Sequence, residues 1–401
     1  MDHSFDDKYL PPEIWRHILA NLRVKTLLRF RCVCKSWCSI IDHPDFVYAL
    51  KRHKINSNTS KIFALEALNL RCHGTRGCVL TDRHDDTLQK TAHIFQSSNR
   101  YCILGRCDEL LLMGCYVNVG NLDYVYYREG MSLWNPSIRK SFLMPPCPLP
   151  RATILFGFAP RSKDYKVVAL SYGKFQSIQH SEIYVAVFTL SDQQWTIRNN
   201  GLEISCSYIY SMFGSYRIPP HAFYFQGAAH WIVGKPGSQS AHLVSFNFDS
   251  ENFTTMEIPA ASVEPGTERF LFLLEESLAL FSISSVSLRI WILEQGKGKG
   301  VWTNWISRCS NFDDYDLFFN RWPYSINVLY RENDDGKVFL LGDKLYNIST
   351  GQVRKLEKSE SSCLDWGVYT ESLVLWKGYE AEKMASLLIN SEYNNTTICY
   401  R

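Results

Sequence analysis

The first apolar pattern in the chain has the period of a helix. Ile14, Ile18 and Leu22 recur every four residues and form one apolar stripe. Pro12 suits the first turn of a helix, where its missing N–H costs nothing, and Glu13 suits the positive end of the helix dipole. The pattern therefore predicts a first helix that begins near Pro12.

Further short helices are predicted up to about residue 50. One begins near Thr26 and another near Ser36, since either side chain can cap a helix N-terminus. Pro44 stops the third helix, and Asp45 can cap a last helical turn. Helices shorter than about a dozen residues are marginal in water, and these carry more apolar surface than so small a bundle can cover. The surplus indicates a partner protein.

The pattern changes to strands at about residue 61, after a polar stretch at 51–60 that indicates a helix end and a linker. A loose repeat follows, in which an apolar strand ends in an aromatic residue and a polar turn leads to a second strand. Equivalent aromatic residues stand 45 to 58 positions apart: Trp134, Phe188, Phe246, Trp291 and Tyr346. Strand-like segments that can pair with these aromatic strands precede them at 110–113, 165–170, 230–233, 277–281 and 337–341.

A period near fifty residues is that of a four-stranded kelch-like propeller blade. We therefore predict an α+β multidomain protein, with a small N-terminal helical bundle followed by an all-β domain, a β-propeller of six to eight blades. Residues before 105 leave room for a further blade, and 367–376 resemble closing strands. A β-sandwich is the alternative, but radial closure protects the edges of so many strands better.

Composition narrows the class of protein. A chain of 401 residues exceeds one ordinary core, which favours two structural units, and the 14% of aromatic residues favours strands. A net charge of +3 is too small to indicate a nucleic-acid or membrane partner. Residues 1–8 contain no apolar run and are not a signal peptide. The thirteen cysteines are therefore predicted to be reduced thiols in the cytoplasm or the nucleus.

The helical segment closely resembles the F-box. The residues that carry this resemblance are Leu-Pro-Pro-Glu-Ile at 10–14, Leu-Leu-Arg-Phe-Arg-Cys-Val-Cys-Lys-Ser-Trp at 27–37, and Pro-Asp-Phe at 44–46. Many plant members have a proline between the first two helices, where this chain has Arg23.

The remaining chain is similar to the F-box-associated domain of the plant family that includes the S-locus F-box proteins. The similar segments are Leu-Trp-Asn-Pro-Ser-Ile-Arg-Lys at 133–140, Phe-Gly-Phe at 156–158, Asp-Tyr-Lys-Val-Val at 164–168, Gly-Ala-Ala-His-Trp at 227–231, Leu-Val-Ser-Phe at 243–246 and Tyr-Thr-Glu-Ser-Leu-Val at 369–374. The usual Cys-Asn-Gly-Leu is Cys-Asp-Glu-Leu here, at 107–110. The implied organisation is an F-box at 1–54, a linker at 55–62, the associated β domain at 63–390 and a tail at 391–401.

The resemblance implies a substrate-recognition subunit of an SCF-type cullin–RING E3 ubiquitin ligase, without catalysis of its own. The F-box would bind a Skp-type adaptor, and through it the cullin and RING subunits, while the β domain would bind the protein to be ubiquitinated. No cofactor or metal is implied. The residues expected to face the adaptor are Leu10, Pro11, Ile14, Leu22, Val33, Cys34, Lys35 and Trp37. Alternatively, some of them, Trp37 and Leu22 especially, hold the helices together.

The F-box segment is also rich in basic residues. They are Arg16, Arg23, Lys25, Arg29, Arg31 and Lys35. Such charge usually forms a solvated face, and the functional alternative is attraction to an acidic adaptor, which would speed association more than strengthen it.

Candidate substrate-binding residues are aromatic side chains in the long loops of the β domain, because binding residues sit disproportionately on loops held by a rigid scaffold. The candidate loops are 116–130, 171–182, 204–222 and 309–323, and the candidate residues in them are Tyr124, Tyr126, Tyr127, Tyr208, Tyr216 and Trp322. Any of these aromatic residues could instead pack between blades.

Other chemical signals are weak. Gly296–Gly300 lacks the spacing of a phosphate loop and favours a hairpin loop. Cys72, His73 and Cys78 have no second ligand pair at the spacing of a zinc finger, and Cys32 and Cys34 would point to different faces of a helix. His230 in a strand is predicted to be structural.

Two other functions remain compatible with the pattern. One is a propeller that binds or hydrolyses a glycan or small ligand, with the helices as a dimerisation element. The other is an F-box protein that acts as a scaffold outside any ligase.

Overall fold

The computed structural model describes most of the chain. The described residues are 11–56, 60–67, 75–82, 88–97, 100–116, 130–149, 152–173, 182–198, 222–234, 241–262, 267–274, 277–284, 287–294, 300–309, 328–333, 336–341, 344–347, 353–355 and 363–375. Four helices come first and strands follow, as the apolar periodicity predicts.

The helices are short and closely spaced. They are α1 (Pro12–Ala20), α2 (Val24–Phe30), α3 (Lys35–Ile41) and α4 (Pro44–Asn56). Pro12 opens α1 and Glu13 lies in its first turn, as predicted. None of the helices in the described part of the chain is long and apolar enough to span a membrane.

The three predicted helix caps are wrong. α2 begins two residues before Thr26, after Arg23, whose extended backbone (φ −68°, ψ 146°) starts the helix without a side-chain cap. α3 begins before Ser36, and its cap is Cys34, whose Sγ accepts a hydrogen bond from the Trp37 N–H at 3.5 Å. α4 begins at Pro44, so Asp45 lies inside its first turn and is not its cap. The helix extends to Asn56 and is longer than the predicted single turn.

The strands form six four-stranded antiparallel sheets within the described residues. Their bounds are β1 (Ser60–Ala67), β2 (Thr75–Asp82), β3 (Leu88–Ser97), β4 (Arg100–Cys107), β5 (Leu110–Tyr116), β6 (Met131–Asn135), β7 (Lys140–Leu143), β8 (Thr153–Ala159), β9 (Asp164–Gly173), β10 (Glu182–Thr189), β11 (Gln194–Arg198), β12 (Phe223–Phe225), β13 (Ala228–Gly234), β14 (Ala241–Asn247), β15 (Phe253–Glu257), β16 (Glu268–Leu274), β17 (Ser277–Ile283), β18 (Ser287–Glu294), β19 (Val301–Cys309), β20 (Val328–Asn333), β21 (Gly336–Leu341), β22 (Lys344–Asn347), β23 (Val353–Lys355) and β24 (Cys363–Thr370). The strand order is β4-β5-β6-β7 in one sheet. Strands β8–β11, β12–β15, β16–β19 and β20–β23 form four further sheets in the same sequential order.

The predicted strand pairs are confirmed in all five repeats. Each aromatic strand is the third of its sheet and pairs with the segment that precedes it, in β5–β6, β9–β10, β13–β14, β17–β18 and β21–β22. Phe188 lies opposite Val167, and Phe246 opposite Ala229. Both aromatic side chains are fully buried, so the repeat in the sequence is a repeat of core positions.

The remaining sheet joins the two ends of the β region. Its order is β24-β1-β2-β3, and β24 pairs antiparallel with β1. One strand from the C-terminal side therefore completes the sheet that the first three strands begin, as in a propeller whose ring is closed by its first and last strands.

Tight turns link β6 to β7 and β14 to β15. In the β6–β7 turn, Asn135 Oδ1 accepts a hydrogen bond from the Ser137 N–H at 2.9 Å. In the β14–β15 turn, Asn247 Oδ1 accepts from the Asp249 N–H at 2.9 Å. These asparagines begin Asx turns, which fix a reversal with little chain.

The departure at Cys107–Leu110 does not break the β4–β5 turn. Asp108 takes the left-handed conformation there, with φ 48°, which aspartate adopts more readily than most residues. Glu109 is fully buried and accepts a hydrogen bond from the Tyr165 hydroxyl. Burial raises the pKa of Tyr165 well above its usual value, and the neighbouring Glu109 raises it further. The turn therefore forms without the glycine that the family pattern has.

The Phe-Gly-Phe segment packs one sheet against the next. A Cβ on Gly157 would lie 2.1 Å from Cε2 of Phe248, in the neighbouring sheet. The ring occupies the space that any side chain on residue 157 would need, so the absence of a side chain there allows the two sheets to approach.

Candidate functional site

The helical unit has a small core of its own. Leu19 of α1, Val24 and Leu27 of α2 and Ile41 of α3 are buried in it, together with residues of α4. Leu22 is partly buried and packs against this core. Leu22, one of the predicted docking residues, therefore helps to hold the helices together, which was the alternative role considered for it.

Other apolar residues of the helical unit face solvent. Ile14 is 44% exposed and Ile18 is 41% exposed, and both lie on one face of α1. Val33, in the turn between α2 and α3, is 63% exposed. Each is large enough to fill a pocket on a partner protein.

Two tryptophans connect α1 with α3. The Trp15 and Trp37 ring centroids are 5.2 Å apart, and the Phe30 ring lies 5.0 Å from Trp37. Trp37 is partly buried against the core, so it both holds the helices together and borders the exposed surface. Ile18 was not among the predicted docking residues, although it lies one turn from both Ile14 and Leu22 in the predicted stripe. Trp15 lies outside that stripe, and its contact with Trp37 was not predicted.

The remaining predicted docking residues are placed as follows. Pro11, Cys34 and Lys35 are exposed, the last two at the start of α3. Hydrogen bonds from Ser36 and from the Trp37 N–H lower the pKa of the Cys34 thiol. Leu10 lies outside the described residues. The docking face, defined here as Pro11, Ile14, Ile18, Val33, Cys34 and Lys35, is thus an apolar surface with one basic edge.

One basic side chain of this unit has a structural partner. Arg31 forms an ion pair with Asp42, with Nη2 2.6 Å from Oδ2, and this contact ties the end of α2 to the end of α3. The contact with Asp42 raises the pKa of the Arg31 guanidinium. The other predicted basic residues are exposed: Arg16, Arg23, Lys25, Arg29 and Lys35. They give the helical unit an excess of exposed positive charge.

The helical unit rests on one end of the sheets. The Tyr48 ring of α4 stacks on Phe158 at the end of β8, with centroids 6.4 Å apart. Lys163 Nζ, from the β8–β9 turn, lies 4.9 Å from the centroid of the same tyrosine ring. Ile138, from the β6–β7 turn, packs against the helical core. The helices therefore contact the end of the sheets at which the β6–β7 and β8–β9 turns lie.

Family models match both units of this architecture. Residues 9–48 match the F-box domain, and residues 80–361 match the F-box associated beta propeller domain. The second match alone spans more than half of the chain. The chain belongs to the F-box proteins that carry an associated β-propeller.

Relatives agree with this family. An F-box/kelch-repeat protein of Arabidopsis thaliana is 25% identical over 391 residues, which is 92% of this chain and 96% of the relative. A second F-box protein of the same plant is 24% identical and covers 83% of this chain and 80% of its own. Both are plant F-box proteins, as the sequence resemblance indicated. A solved structure from Desulfotomaculum acetoxidans is 12% identical and covers 77% of this chain and 89% of its own, with a TM-score of 0.40.

The candidate substrate residues of this F-box protein are not placed by the structure. Tyr124, Tyr126, Tyr127, Tyr208, Tyr216 and Trp322 all lie outside the described residues. The described strands on either side of these loops nevertheless show which end of the sheets the loops leave from. The chain leaves β5, β9 and β11 running away from the F-box and returns in β6, β10 and β12 running toward it. By the same strand order, β19 leaves and β20 returns.

His230 has the structural place that the sequence predicted. Its Nδ1 lies 2.7 Å from Ser245 Oγ and its Nε2 lies 3.2 Å from the Phe225 carbonyl oxygen. Since a carbonyl oxygen can only accept, the proton is on Nε2, and the Ser245 hydroxyl donates to Nδ1. Both ring nitrogens are thus occupied.

Proposed function

We propose that this F-box protein is a substrate-recognition subunit of an SCF-type cullin–RING E3 ubiquitin ligase. The observation that carries the proposal is the docking face, where Ile14, Ile18 and Val33 are exposed on a helical unit that has already buried its own core. Exposed apolar side chains of this size act as anchors in the groove of a partner. The partner is a Skp-type adaptor, which connects the chain to the cullin and RING subunits.

Charge supports the same partner. The exposed basic residues of the helical unit include Arg16, Arg29 and Lys35, the last of them on the docking face. An acidic adaptor surface would be attracted to them, which raises the association rate more than the affinity.

The propeller supplies the second half of the function. It presents the target protein from the end of the sheets that faces away from the F-box, where the chain leaves β5 and β9 and returns in β6 and β10. Adaptor and target would then occupy opposite ends of the molecule and would not compete for surface. This receptor performs no chemistry, and it acts in the cytoplasm, the nucleus or both.

A matched pair of valines tests adaptor docking. Val33 on the F-box and Val301 on β19 are each 63% exposed. Val33→Asp places a charge in the apolar interface and is expected to weaken adaptor binding by about 2 kcal/mol or more, which is about thirtyfold. Val301→Asp, outside the F-box, is expected to bind like the wild type.

The measurement is titration calorimetry with the full-length chain and a plant Skp-type adaptor. Unchanged affinity of Val33→Asp would remove this residue from the docking face. Absence of adaptor binding by the folded wild-type protein would overturn the proposed function.

A further inference from the structure

A short segment after the last strand joins the F-box to the propeller. We define it as the clasp, residues 371–375, which directly follow β24. Leu373 is 1% exposed and belongs to the core of the F-box helices, beside Leu19 and Leu27. Leu375, two residues later, is buried in the propeller core. The same five residues therefore complete two cores.

The clasp is fixed by a buried asparagine from another blade. Asn135 Nδ2 lies 3.0 Å from Ser372 Oγ, 3.2 Å from the Ser372 carbonyl oxygen and 2.9 Å from the Val374 carbonyl oxygen. The Ser372 N–H donates to Ser137 Oγ at 3.3 Å. Asn135 is fully buried, so these polar groups have exchanged water for one another, and releasing the clasp would leave them unsatisfied.

The backbone of the clasp is itself constrained. Leu375 has φ 70°, a left-handed conformation that costs free energy for a leucine. It persists because the buried side chain of Leu375 and the hydrogen bonds around Ser372 hold it in place.

The clasp also marks the point where the ring closes. β24 completes the first sheet by pairing with β1, and the Thr370 N–H at its end donates to the Asp108 carbonyl oxygen at 3.0 Å. The clasp can reach the F-box only from the end of a β24 that lies in this position.

We propose that the clasp makes the docking face of the F-box conditional on closure of the propeller. The four helices are seven to thirteen residues long, and helices of this length depend on tertiary packing. Without Leu373 their core would contain a cavity, which loosens the packing around it. A chain whose last strand is missing or displaced would thus fail to hold α1 and α3 in the arrangement that displays Ile14 and Val33.

The effect of the clasp on adaptor binding rests on the proposed function. The coupling of the F-box helices to closure of the propeller does not. The test therefore measures hydrogen exchange of the F-box amides in the full-length chain without adaptor. Three variants each remove one buried leucine side chain: Leu373→Ala in the F-box core, Leu375→Ala in the clasp but outside that core, and Leu190→Ala. Leu190 lies in the same propeller core as Leu375 and is outside the clasp, so it controls for general loss of propeller stability.

The expected result is that Leu373→Ala and Leu375→Ala both speed exchange in α1–α4, about tenfold or more, and that Leu190→Ala has a clearly smaller effect there. If Leu375→Ala speeds exchange only in the propeller strands, or if Leu190→Ala matches it in the helices, the clasp does not couple the two units. Leu373→Val, which removes one methylene, replaces Leu373→Ala if the latter does not fold. Titration of the same proteins with the adaptor is the second readout. If the wild-type protein does not bind the adaptor, the ligase role is refuted, but the coupling measured by hydrogen exchange is not.

Discussion

At the scale of single residues, His230 shows how burial sets the charge of a side chain. Its two nitrogens are held by Ser245 and by the Phe225 carbonyl oxygen. Burial lowers its pKa from 6.5 to about 4, and the hydrogen bond to Phe225 only partly opposes this shift. The imidazole is therefore neutral at neutral pH, and its role is to support β13 rather than to transfer protons.

This shift predicts a dependence of stability on pH. Because the folded-state pKa of His230 lies below the unfolded one, the unfolded chain binds more protons between pH 6.5 and about 4. The contribution of His230 to stability is complete above pH 6.5 and is lost as the pH falls through that window. His230→Gln, which keeps a donor and an acceptor without a titrating group, is expected to lose less stability between pH 7 and pH 5.

Urea unfolding at the two pH values measures this difference. His17→Gln, the same substitution at an exposed position on α1, is the control. A wild-type loss of stability that His230→Gln reproduces in full would contradict the assignment.

The docking residues show what a sequence can and cannot indicate at this scale. The stripe of Ile14, Ile18 and Leu22 predicted a helix correctly, but the structure exposes the first two and packs Leu22 against the core. A period of four residues shows that side chains share a face. Which of them another helix covers depends on packing by α2–α4, which the stripe does not contain.

At the scale of elements, the tight turns connect neighbouring strands through polar side chains. Asp164 at the start of β9 accepts from the Tyr165 N–H at 2.7 Å and from the Ser191 N–H, in the β10–β11 turn, at 3.2 Å. The Leu190 N–H donates to the Tyr165 carbonyl oxygen at 2.9 Å. Asp164 thus ties two turns of one sheet together, directly beside the β8–β9 turn on which Tyr48 rests.

Removal of this carboxylate is expected to destabilise the sheet. Asp164→Ala removes the acceptor of the buried bond from the Tyr165 N–H as well as that of the Ser191 N–H, which is expected to cost about 1–3 kcal/mol of unfolding free energy. Asp164→Asn keeps one acceptor oxygen and is expected to lie between Ala and the wild type. Asp192→Ala, one residue beyond Ser191 and exposed, is the control. Chemical denaturation measures all four proteins, and equal stability of Asp164→Ala and Asp192→Ala would contradict this role.

Strand pairs could be predicted from sequence because each pair is local. The aromatic strand and its partner are joined by one connection, as in β13 and β14, so the repeat identified both.

Helix caps and distant contacts were harder to predict from the sequence. Thr26 looked like a cap, but the backbone of Arg23 already turns into the helix before it. Pairing by the clasp was invisible, because Asn135 and Ser372 are 237 positions apart.

At the scale of the whole molecule, the six sheets fall within the predicted range of six to eight blades. The range could not be narrowed from sequence because one sheet is assembled from both ends of the β region, so its repeat is split between β24 and β1–β3. The family segments at 133–140 and 369–374 contact each other in the fold. Asn135 in the first segment fixes Ser372 in the second, where the F-box, the first sheet and the ring closure meet.

The two units are arranged so that the F-box keeps a free surface. It contacts the propeller through Tyr48 and Leu373, and its exposed apolar face remains available for a partner. The proposed receptor function requires that one adaptor molecule fills that face.

The mass of the particle formed with the adaptor tests this claim most directly. The full-length chain, of 46.4 kDa, is co-expressed with a plant Skp-type adaptor and measured by size-exclusion chromatography with light scattering. The expected result is a complex of one chain and one adaptor. Folded protein that elutes with the mass of the chain alone, apart from the adaptor, would contradict it.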